Sequence, residues 1–497
     1  MRKADKELKR KGKLADRISK LENKTWSLIS KGDYNGALQI ISALASFYYG
    51  SNQKYTDKNL EDMILAMELP MKCVKMKTLF NTVLFYDGFG FDIRGLAFIY
   101  IKALCEKGYH VVYIVDERKS HKLPNINGVL KKYGGEMVCI PYGLDYMECA
   151  VFINHTVVKK NVAHAMLYTT PYDSSAVLAF TKIPNNIRRY QINLTDHAFW
   201  LGVHAFDYCI EFRNHGASIS EYYRGIDKSK LLMLPYYPGN GYKGGFQGFP
   251  FERQKDDFVV FSGGSMYKTK DREGIYYKIV RYLLKHYPNV KFWYAGTGEN
   301  KGMKTLLHDF RGRVFFTSER KDISFIMQHC DIYLSTYPIA GGLMSQYAAA
   351  AGCIPLTLRR KGTVNGGTLT ENNECKFLMD SPEELLKEFD KLYHDDAYRE
   401  KAGEAVCRCV PAEDIFACNL NKILKEGKSD FQMSTKKIDT SDFLKLYDTG
   451  DFTKLLSKVI GSPKYPSLFR IMPYYYTVSL LKKIMWWIGC QLEKKFR

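Results

Sequence analysis

The stretch DIYLSTYPIAGGLMSQYAAAAGCIPLTL, Asp331–Leu358, decides the fold class of this chain. It opens with a short apolar, β-prone run at Asp331–Ser335 and closes with another, after a glycine, at Cys353–Leu358. Between the two runs lies Leu343–Ala351, which is rich in alanine and therefore favours a helix. The pattern predicts a strand, a glycine turn, a helix and a second strand.

The predicted helix begins directly after Gly341 and Gly342. Its first N–H groups have no side chain in front of them, and the helix dipole makes this end positive. A phosphate or diphosphate would suit such a position. An ordinary βαβ crossover with a glycine turn explains the same residues equally well. The remainder of the chain decides between these two interpretations.

Length, composition and charge indicate a globular protein of several domains. The chain has 497 residues, enough for two or three domains with cores of their own. Hydrophobic residues make up 46% and charged residues 25%, as in folded rather than disordered proteins. The formal net charge of +20 favours anionic partners, which include nucleotides, a membrane surface and nucleic acid.

Cysteine usage and hydropathy bear on the compartment. The twelve cysteines are scattered, and the one close pair, Cys407 and Cys409, lacks zinc spacing. We recognise no signal peptide, and no uncharged apolar run reaches the roughly 18–20 residues that cross a bilayer. These features predict a cytoplasmic protein.

The sequence pattern divides the chain into four regions. Residues 1–70 are lysine-rich and helical in pattern, and residues 430–497 mix aromatic with basic side chains. Residues 77–240 and 256–425 each alternate short apolar strands with helices, which predicts two parallel α/β domains. Between these domains, residues 235–256 are rich in proline and glycine, a composition typical of a flexible linker.

The amino-terminal region contains a phrase that recurs near the other end of the chain. Two predicted helices join at Gly32-Asp33, and a similar pattern surrounds Gly450-Asp451. Each resembles one unit of a tetratricopeptide-like repeat, but a stable array needs about three units. Helical hairpins that serve packing or partner contact are the simpler interpretation.

The first α/β region offers seven short strands and no nicotinamide fingerprint. The spacing of Gly88, Gly90 and Gly95 is G-x-G-x(4)-G rather than G-x-G-x-x-G, which argues against a nicotinamide cofactor. The strands are predicted at Thr78–Tyr86, His110–Val115, Met137–Ile140, Ala150–Asn154, Met166–Tyr168, Tyr190–Asn193 and Tyr208–Phe212.

In the second α/β region, phosphate-friendly residues follow four predicted strands. One glycine turn means little, but four at one sheet edge predict a site of nucleotide size. The residues concerned are Gly263, Gly264, Ser265 and Lys268 after the first strand, Gly296 and Gly298 after the next, Ser318 and Arg320 after the third, and Gly341 and Gly342.

These motifs resemble the donor-binding domain of GT-B glycosyltransferases. Within that fold they are most similar to the O-GlcNAc transferase branch and to related bacterial protein and polysaccharide glycosyltransferases. The matching stretches are SMYK at 265–268, FFTSERK at 315–321 and LSTYPIAGGLMSQYAAAAGCIPLTL at 334–358. The resemblance implies an α/β GT-B fold, with two Rossmann-like domains facing one cleft and helical extensions at both ends.

The resemblance also implies roles for individual residues. Lys268 would hold the nucleotide diphosphate, and the base would lie near Ser318–Arg320. Where the family often has His and Thr, this chain has Leu343 and Met344, so only backbone N–H groups there and at Gly342 would hold the phosphates. Gln346 or Tyr347 takes the place of the family's ribose-binding acid.

The first α/β region should supply the acceptor contacts and a general base. A histidine can accept a proton from a hydroxyl near neutral pH, and a neighbouring aspartate can orient it. His197 beside Asp196 is therefore the preferred catalytic pair. A structural histidine in a turn remains the alternative. Weaker candidates are His204 and His215, Arg213 and Arg224 for the leaving diphosphate, and His155 and Asp87 in reserve.

We expect neither a metal nor another cofactor, because the chain contains no Asp-X-Asp clamp for a metal-bound nucleotide sugar. Basic side chains and helix N-termini can neutralise a leaving diphosphate instead. An acceptor hydroxyl would attack the anomeric carbon directly, and the resemblance favours inversion there.

The function predicted from the sequence is that of a Leloir-type glycosyltransferase in polysaccharide biosynthesis. A UDP-sugar is the favoured donor, and the acceptor is a glycan, a lipid-linked glycan or a protein. The carboxyl-terminal aromatic and basic residues favour binding to the anionic surface at the inner face of a membrane. The alternative is a terminal helix that docks on the core of the protein. No nucleic-acid module is evident. A nucleotide-sugar epimerase, a sugar-phosphate synthase and a non-catalytic partner or chaperone of a glycosylation system stay open.

Overall fold

The computed structural model describes residues 2–70, 79–93, 95–239, 242, 244–360, 369, 377–441, 452–462, 464–471 and scattered positions between 473 and 488. By their internal contacts these residues form two compact units. Unit 1 comprises Met1–Glu211, His215–Met233 and Leu420–Arg497, and unit 2 comprises Phe212–Asn214 and Leu234–Asn419.

Helices and strands alternate through both units. The helices are α1 (Arg2–Ser30), α2 (Tyr34–Ser51), α3 (Lys58–Leu65), α4 (Ala97–Glu106), α5 (Glu117–Ser120), α6 (Pro124–Tyr133), α7 (Tyr146–Lys159), α8 (Ser174–Thr181), α9 (Asn214–Arg224), α10 (Ile275–His286), α11 (Lys301–Asp309), α12 (Ile323–His329), α13 (Gly342–Ala350), α14 (Pro382–His394), α15 (Asp396–Arg408), α16 (Glu413–Glu426), α17 (Phe452–Ile460) and α18 (Ser467–Ile471). The strands are β1 (Leu79–Asp87), β2 (His110–Asp116), β3 (Glu136–Ile140), β4 (Val162–Tyr168), β5 (Arg188–Ile192), β6 (Tyr208–Glu211), β7 (Leu231–Met233), β8 (Phe258–Ser265), β9 (Val290–Thr297), β10 (Val314–Thr317), β11 (Ile332–Leu334), β12 (Ile354–Leu358) and β13 (Leu378–Met379).

Each unit is built on one parallel sheet. The strand order in unit 1 is β3-β2-β1-β4-β5-β6-β7, and in unit 2 it is β10-β9-β8-β11-β12-β13. All described strand pairs are parallel, so the carboxyl ends of neighbouring strands meet at one edge of each sheet. Near-continuous apolar strands such as β2, with five consecutive buried residues, suit sheets that helices cover on both faces.

Local sequence explains where several helices begin and end. Asp33 caps α2 by accepting from Gly36 N–H at 2.9 Å, which confirms the predicted hairpin at Gly32-Asp33. Asp145 and Glu148 form a capping box at the start of α7. Helix α6 starts with proline at Pro124 and stops where the backbone turns left-handed at a glycine.

The helices at the two chain ends belong to the core of unit 1. Leu38 and Ile41 of α2 are fully buried together with Leu456 of α17, which packs on α2. Burying side chains of this kind contributes roughly 1.5–3 kcal/mol each. Of the second recurring phrase only α17 lies within the described residues, and it packs beside the first.

One predicted strand is wrong. Ala150–Asn154 lies inside α7, where Ala150 and Ile153 point into the core three residues apart. A short apolar run cannot distinguish a buried strand from a buried helix, and the capping box at Asp145 determines the outcome here.

The predicted flexible linker is not a free joint in its described part. Phe246 stacks on the His329 ring at 4.1 Å, Phe249 meets Trp293 edge-on at 6.0 Å, and Gln247 N–H donates to Asp322. Proline and glycine prevent regular structure, but the phenylalanines between them bury against unit 2.

Within the described ranges, none of the helices combines the length and the apolar character that crossing a bilayer requires. At the carboxyl terminus the described positions between 473 and 488 are helical, and several expose large apolar side chains.

Candidate functional site

The carboxyl edge of the unit 2 sheet brings together the glycines that the sequence singled out. Gly264 pairs with Gly296 across β8 and β9. A Cβ atom on Gly296 would lie 1.9 Å from the carbonyl oxygen of Gly264, and one on Gly263 would lie 2.8 Å from that of Ala295. Only glycine allows the two backbones this approach, so the edge presents backbone rather than side chains.

Two more predicted residues lie beside this glycine pair. Ser265 Oγ and Thr297 Oγ1 lie 3.3 Å apart on neighbouring strand ends. Gly298 has φ of +92°, a left-handed conformation that favours glycine. The structure therefore brings Gly263, Gly264, Ser265, Gly296 and Gly298 together at one sheet edge.

Lys268 follows β8 in a short 3-10 helix, Met266–Thr269. Burial lowers the pKa of its ammonium group. Among the described residues no carboxylate lies within ion-pair distance of it. The Lys268 carbonyl accepts from Ile339 N–H at 3.3 Å, which ties the lysine segment to the loop that leads into α13.

Helix α13 begins at this same edge, one residue before the predicted start. Its N-cap residue, Gly341, makes no side-chain capping hydrogen bond, and Gly342, Leu343 and Met344 form the first turn. The N–H groups of that turn have no intrahelical acceptor. Gln346 and Tyr347, the two candidates for the place of the family's ribose acid, are both buried. The first turn is therefore the part of α13 that is able to meet a ligand.

Arg320 has a different environment from the one expected of a base-reading residue. Its Nε and Nη2 donate to both carboxylate oxygens of Asp322 at 2.8 and 2.7 Å, and the guanidinium lies 5.2 Å from the Trp293 ring centre. Burial alone would raise the pKa of Asp322, but these hydrogen bonds hold it below its usual value. Ser318, two residues earlier, is exposed. Arg320 thus anchors the loop, and Ser318 is the more accessible residue.

In unit 1, Asp196 and His197 form the predicted pair. Asp196 Oδ1 and His197 Nδ1 lie 3.2 Å apart; the aspartate side chain is 1% exposed and the histidine 41%. A buried carboxylate beside a partly exposed imidazole is the arrangement that orients a general base. Asp196 is thus placed to orient the His197 ring.

A buried polar network that sequence reasoning missed lies behind this pair. Glu211, fully buried at the end of β6, accepts from Asn193 Nδ2 at 2.9 Å and from Ser220 Oγ at 2.5 Å. Burial raises the pKa of Glu211, while these hydrogen bonds oppose the shift. An acid inside the apolar run Tyr208–Phe212 is the sequence signal that could have indicated it. A Cβ on Gly216 would lie 2.5 Å from Glu211 Oε2, so α9 begins close against it.

Arg224, a candidate for the leaving diphosphate, has a structural role. It is 4% exposed, and its Nη2 donates to the carbonyls of Asp196 at 3.0 Å and Ala198 at 2.6 Å. The reserve candidate Asp87 caps the turn after β1 through the N–H groups of Phe89 and Gly90, both at 2.8 Å.

Of the remaining candidates, two are exposed and two are buried. His204 is exposed, and His155 is exposed on α7. His215 and Arg213 are buried. Among the residues that the structure describes, no group of three or more His, Cys, Asp or Glu side chains is placed to hold a metal ion.

Unit 1 also contains a cavity of about 450 Å³ at the carboxyl ends of β1 to β4. Its lining combines hydroxyl groups, among them those of Tyr86, Tyr146 and Tyr465, with charged side chains such as Asp116 and Lys119. Tyr86 Oη donates to Asp173 at 2.6 Å. Both chain-end extensions contribute to the wall, since Ser42 of α2 and Tyr465 line it.

No protein-family model matches the sequence, and no curated protein does. Solved structures match the fold. A glycosyltransferase from Rickettsia africae aligns with a TM-score of 0.53 and 12% identity, over 69% of this chain and 98% of that one. A putative UDP-N-acetylglucosamine 2-epimerase from Listeria monocytogenes aligns with a TM-score of 0.50 and 12% identity, over 72% and 100%. An O-GlcNAc transferase mutant from Thermobaculum terrenum gives 0.46 and 14%, over 88% and 82%.

The first two of these structures, together with the two parallel sheets, confirm the predicted α/β GT-B fold and the resemblance to GT-B glycosyltransferases at the level of fold. Because the same fold also carries an epimerase, the chemistry must be argued from the residues themselves.

Proposed function

We propose that this protein is a glycosyltransferase that moves a sugar from a nucleotide diphosphate sugar, favoured as a UDP-sugar, to an acceptor hydroxyl. The observation that carries the proposal is the edge of unit 2. There the uncapped first turn of α13, a side-chain-free glycine pair and Lys268 without an ion-pair partner in the described ranges lie together. This combination suits a diphosphate.

The proposed donor site neutralises charge without a metal. The first-turn N–H groups of α13 and the Lys268 ammonium supply donors and positive charge to the diphosphate oxygens. A bound anion favours the charged lysine, which offsets the cost of its burial. Gly263, Gly264, Gly296 and Gly298 let the ligand approach the backbone closely, and the exposed Ser318 is the candidate contact for the base.

The proposed reaction is a single displacement. An acceptor oxygen attacks the anomeric carbon, the bond from that carbon to the diphosphate oxygen breaks, and the nucleoside diphosphate leaves with the bonding electrons. The His197 imidazole takes the hydroxyl proton, while Asp196 orients the ring through Nδ1. One displacement inverts the anomeric configuration.

The cavity of unit 1 is the proposed place for part of the acceptor. Its hydroxyl, carboxylate and basic side chains together offer donors and acceptors for the hydroxyl groups of a sugar. The exposed carboxyl-terminal residues are proposed to bring the enzyme to an anionic membrane surface on the cytoplasmic side.

A thermal-shift titration with UDP, GDP, CDP and ADP tests the donor site. A ligand that binds only the folded chain raises its melting temperature. We expect one nucleotide, UDP first, to stabilise the wild type, Lys268→Ala to abolish the shift, and Lys270→Ala, a change at an exposed lysine two residues on, to retain it. If no nucleotide stabilises the wild type, a non-catalytic partner or chaperone becomes the better interpretation.

A nucleotide-sugar epimerase is the second candidate, because the Listeria monocytogenes structure shares the fold to nearly the same degree as the glycosyltransferase does. An epimerase converts the nucleotide sugar without an acceptor. Incubation of the selected nucleotide sugar alone, followed by product analysis, separates the two. A new nucleotide sugar indicates epimerisation, and an unchanged one that is consumed only with a glycan acceptor indicates transfer.

A further inference from the structure

The loop that carries Asp196 and His197 is tied to the amino-terminal helical segment of the same unit. Residues 195–203 leave β5 and have no regular structure. Three backbone N–H groups of this loop donate to the segment: Phe199 to Asn52 Oδ1 at 3.2 Å, Trp200 to the Tyr55 carbonyl at 3.4 Å, and Gly202 to Glu61 Oε1 at 2.7 Å. The segment thus supplies hydrogen-bond acceptors for loop N–H groups that lack partners in a helix or a sheet.

The two side chains in these bonds are buried polar groups. Asn52 is 0% exposed and Glu61 is 2% exposed. Asn52 also adopts φ of +45°, a left-handed conformation that asparagine tolerates better than most residues. Polar groups are costly to bury unless they make hydrogen bonds, so their placement against this loop needs an explanation. General core packing would be served better by apolar side chains.

Arg224 holds the same loop from another direction. Besides its hydrogen bonds to the carbonyls of Asp196 and Ala198, its guanidinium lies 4.7 Å from the Trp200 ring centre and 5.6 Å from that of Tyr55. The Arg224 side chain therefore contacts both the loop and the amino-terminal segment. Arg224 and the amino-terminal segment together hold the backbone on each side of His197.

We propose that Asn52 and Glu61 are positioning residues for the general base, and that they act through the backbone of loop 195–203 on His197. This inference rests on the proposed function. A base must lie within hydrogen-bond reach of the proton it takes, and a displacement of about 1 Å can cost roughly 100-fold in rate. The amino-terminal helices are then part of the catalytic apparatus rather than an appendage to the α/β fold.

The test compares four variants of the full chain. Glu61→Ala removes the acceptor for Gly202, and Glu61→Gln keeps an oxygen there. Asn52→Gly removes the acceptor for Phe199 while keeping the left-handed backbone accessible, which guards against a variant that fails to fold. Asp62→Asn is the matched control, because Asp62 adjoins Glu61 but pairs with Lys58 at the surface.

Two measurements are made on each folded variant. Hydrogen–deuterium exchange of the peptide that covers 195–203 reports the anchoring without any ligand. Steady-state UDP release from UDP-N-acetylglucosamine, UDP-glucose and UDP-galactose, with a glycan acceptor, separates kcat from the KM of the nucleotide sugar. We expect faster exchange in Glu61→Ala and Asn52→Gly, with kcat lower by about 10- to 100-fold and the donor KM within about twofold. Glu61→Gln should recover most of kcat, and Asp62→Asn should match the wild type.

The outcomes distinguish this inference from the function on which it rests. Unchanged loop exchange in both Glu61→Ala and Asn52→Gly overturns the anchoring, whatever the activity. Faster exchange with an unchanged kcat overturns the positioning role. A general loss of structure would instead change the donor KM and speed up exchange in peptides elsewhere in the chain as well. If the wild type binds a nucleotide yet releases no UDP with any acceptor, the transferase proposal fails and the catalytic part of this inference fails with it.

Discussion

At the scale of single residues, Glu61 combines burial with a titration near neutral pH. Burial raises its pKa to about 7 from 4.5, and the carboxylates of Asp57 and Asp62 add to the shift, while N–H groups of Gly202 and Val203 oppose it. The folded state therefore holds a proton that the unfolded state has lost between pH 4.5 and 7. The stability of the wild type consequently falls as the pH rises through this window.

Glu61→Gln should remove this dependence. A shift of this size corresponds to about 3 kcal/mol, so the unfolding free energy of the wild type relative to the variant should fall by about that amount from pH 4.5 to pH 7. Urea unfolding at several pH values across the window measures the difference. Asp62→Asn should retain most of the pH dependence, because burial is the main cause of the Glu61 shift and the Asp62 carboxylate only adds to it. A Glu61→Gln curve parallel to that of the wild type would contradict the burial of an ionisable group.

Residue positions were predictable where they follow from the end of a strand. Lys268 and the glycines lie where the strand pattern predicts, because parallel strands bring their carboxyl ends to one edge. Arg320 has the predicted position, but its pairing with Asp322 depends on a tertiary contact. Glu61 and Asn52 could not be identified from the sequence, since the loop they hold is more than 130 residues away along the chain.

At the scale of elements, replacing glycine by alanine should have opposite effects on stability at two positions. Gly296→Ala places a Cβ 1.9 Å from the Gly264 carbonyl oxygen, which forces β8 and β9 apart. Gly128 lies exposed inside α6, with no atom within 4 Å of an added Cβ. We expect Gly296→Ala to destabilise by about 2 kcal/mol or more and to weaken nucleotide binding, and Gly128→Ala to stabilise by about 0.5–1 kcal/mol.

Thermal unfolding of the two variants beside the wild type measures these changes. A Gly296→Ala protein as stable as the wild type would mean that the strand ends do not approach each other so closely. Most element positions followed from the apolar pattern: the strand predicted at Cys353–Leu358 is Ile354–Leu358, and the one predicted at His110–Val115 is His110–Asp116. The exception at Ala150–Asn154 arose because length and capping, rather than hydrophobicity, decide between a helix and a strand there.

At the scale of the whole molecule, the two ends of the chain meet in unit 1. Helices α1, α17 and α18 all pack on α2, which the sequence could not indicate because its two recurring phrases lie about 400 residues apart. Residues 2–30 hold ten basic and four acidic side chains, and residues 467–497 hold six basic and one acidic. Tertiary packing thus brings two positively charged segments into the same unit.

These chain ends should bind anionic vesicles. Among the described residues of the terminal segment, Tyr474 is 73% exposed, Met485 64% and Trp487 58%, and exposed apolar side chains beside basic ones suit a lipid surface with negative headgroups. We expect co-sedimentation with phosphatidylglycerol-containing vesicles but not with pure phosphatidylcholine, and weaker binding in high salt because the charges are screened.

Met485→Ser with Trp487→Ser should reduce binding several-fold, since burial of these side chains adds to the electrostatic attraction. Tyr222→Ser, a change at another exposed aromatic residue, should leave binding unchanged, because Tyr222 lies on α9 outside both basic segments. Binding that depends on lipid charge but not on the two apolar residues would limit the contribution of the terminal segment to its charge.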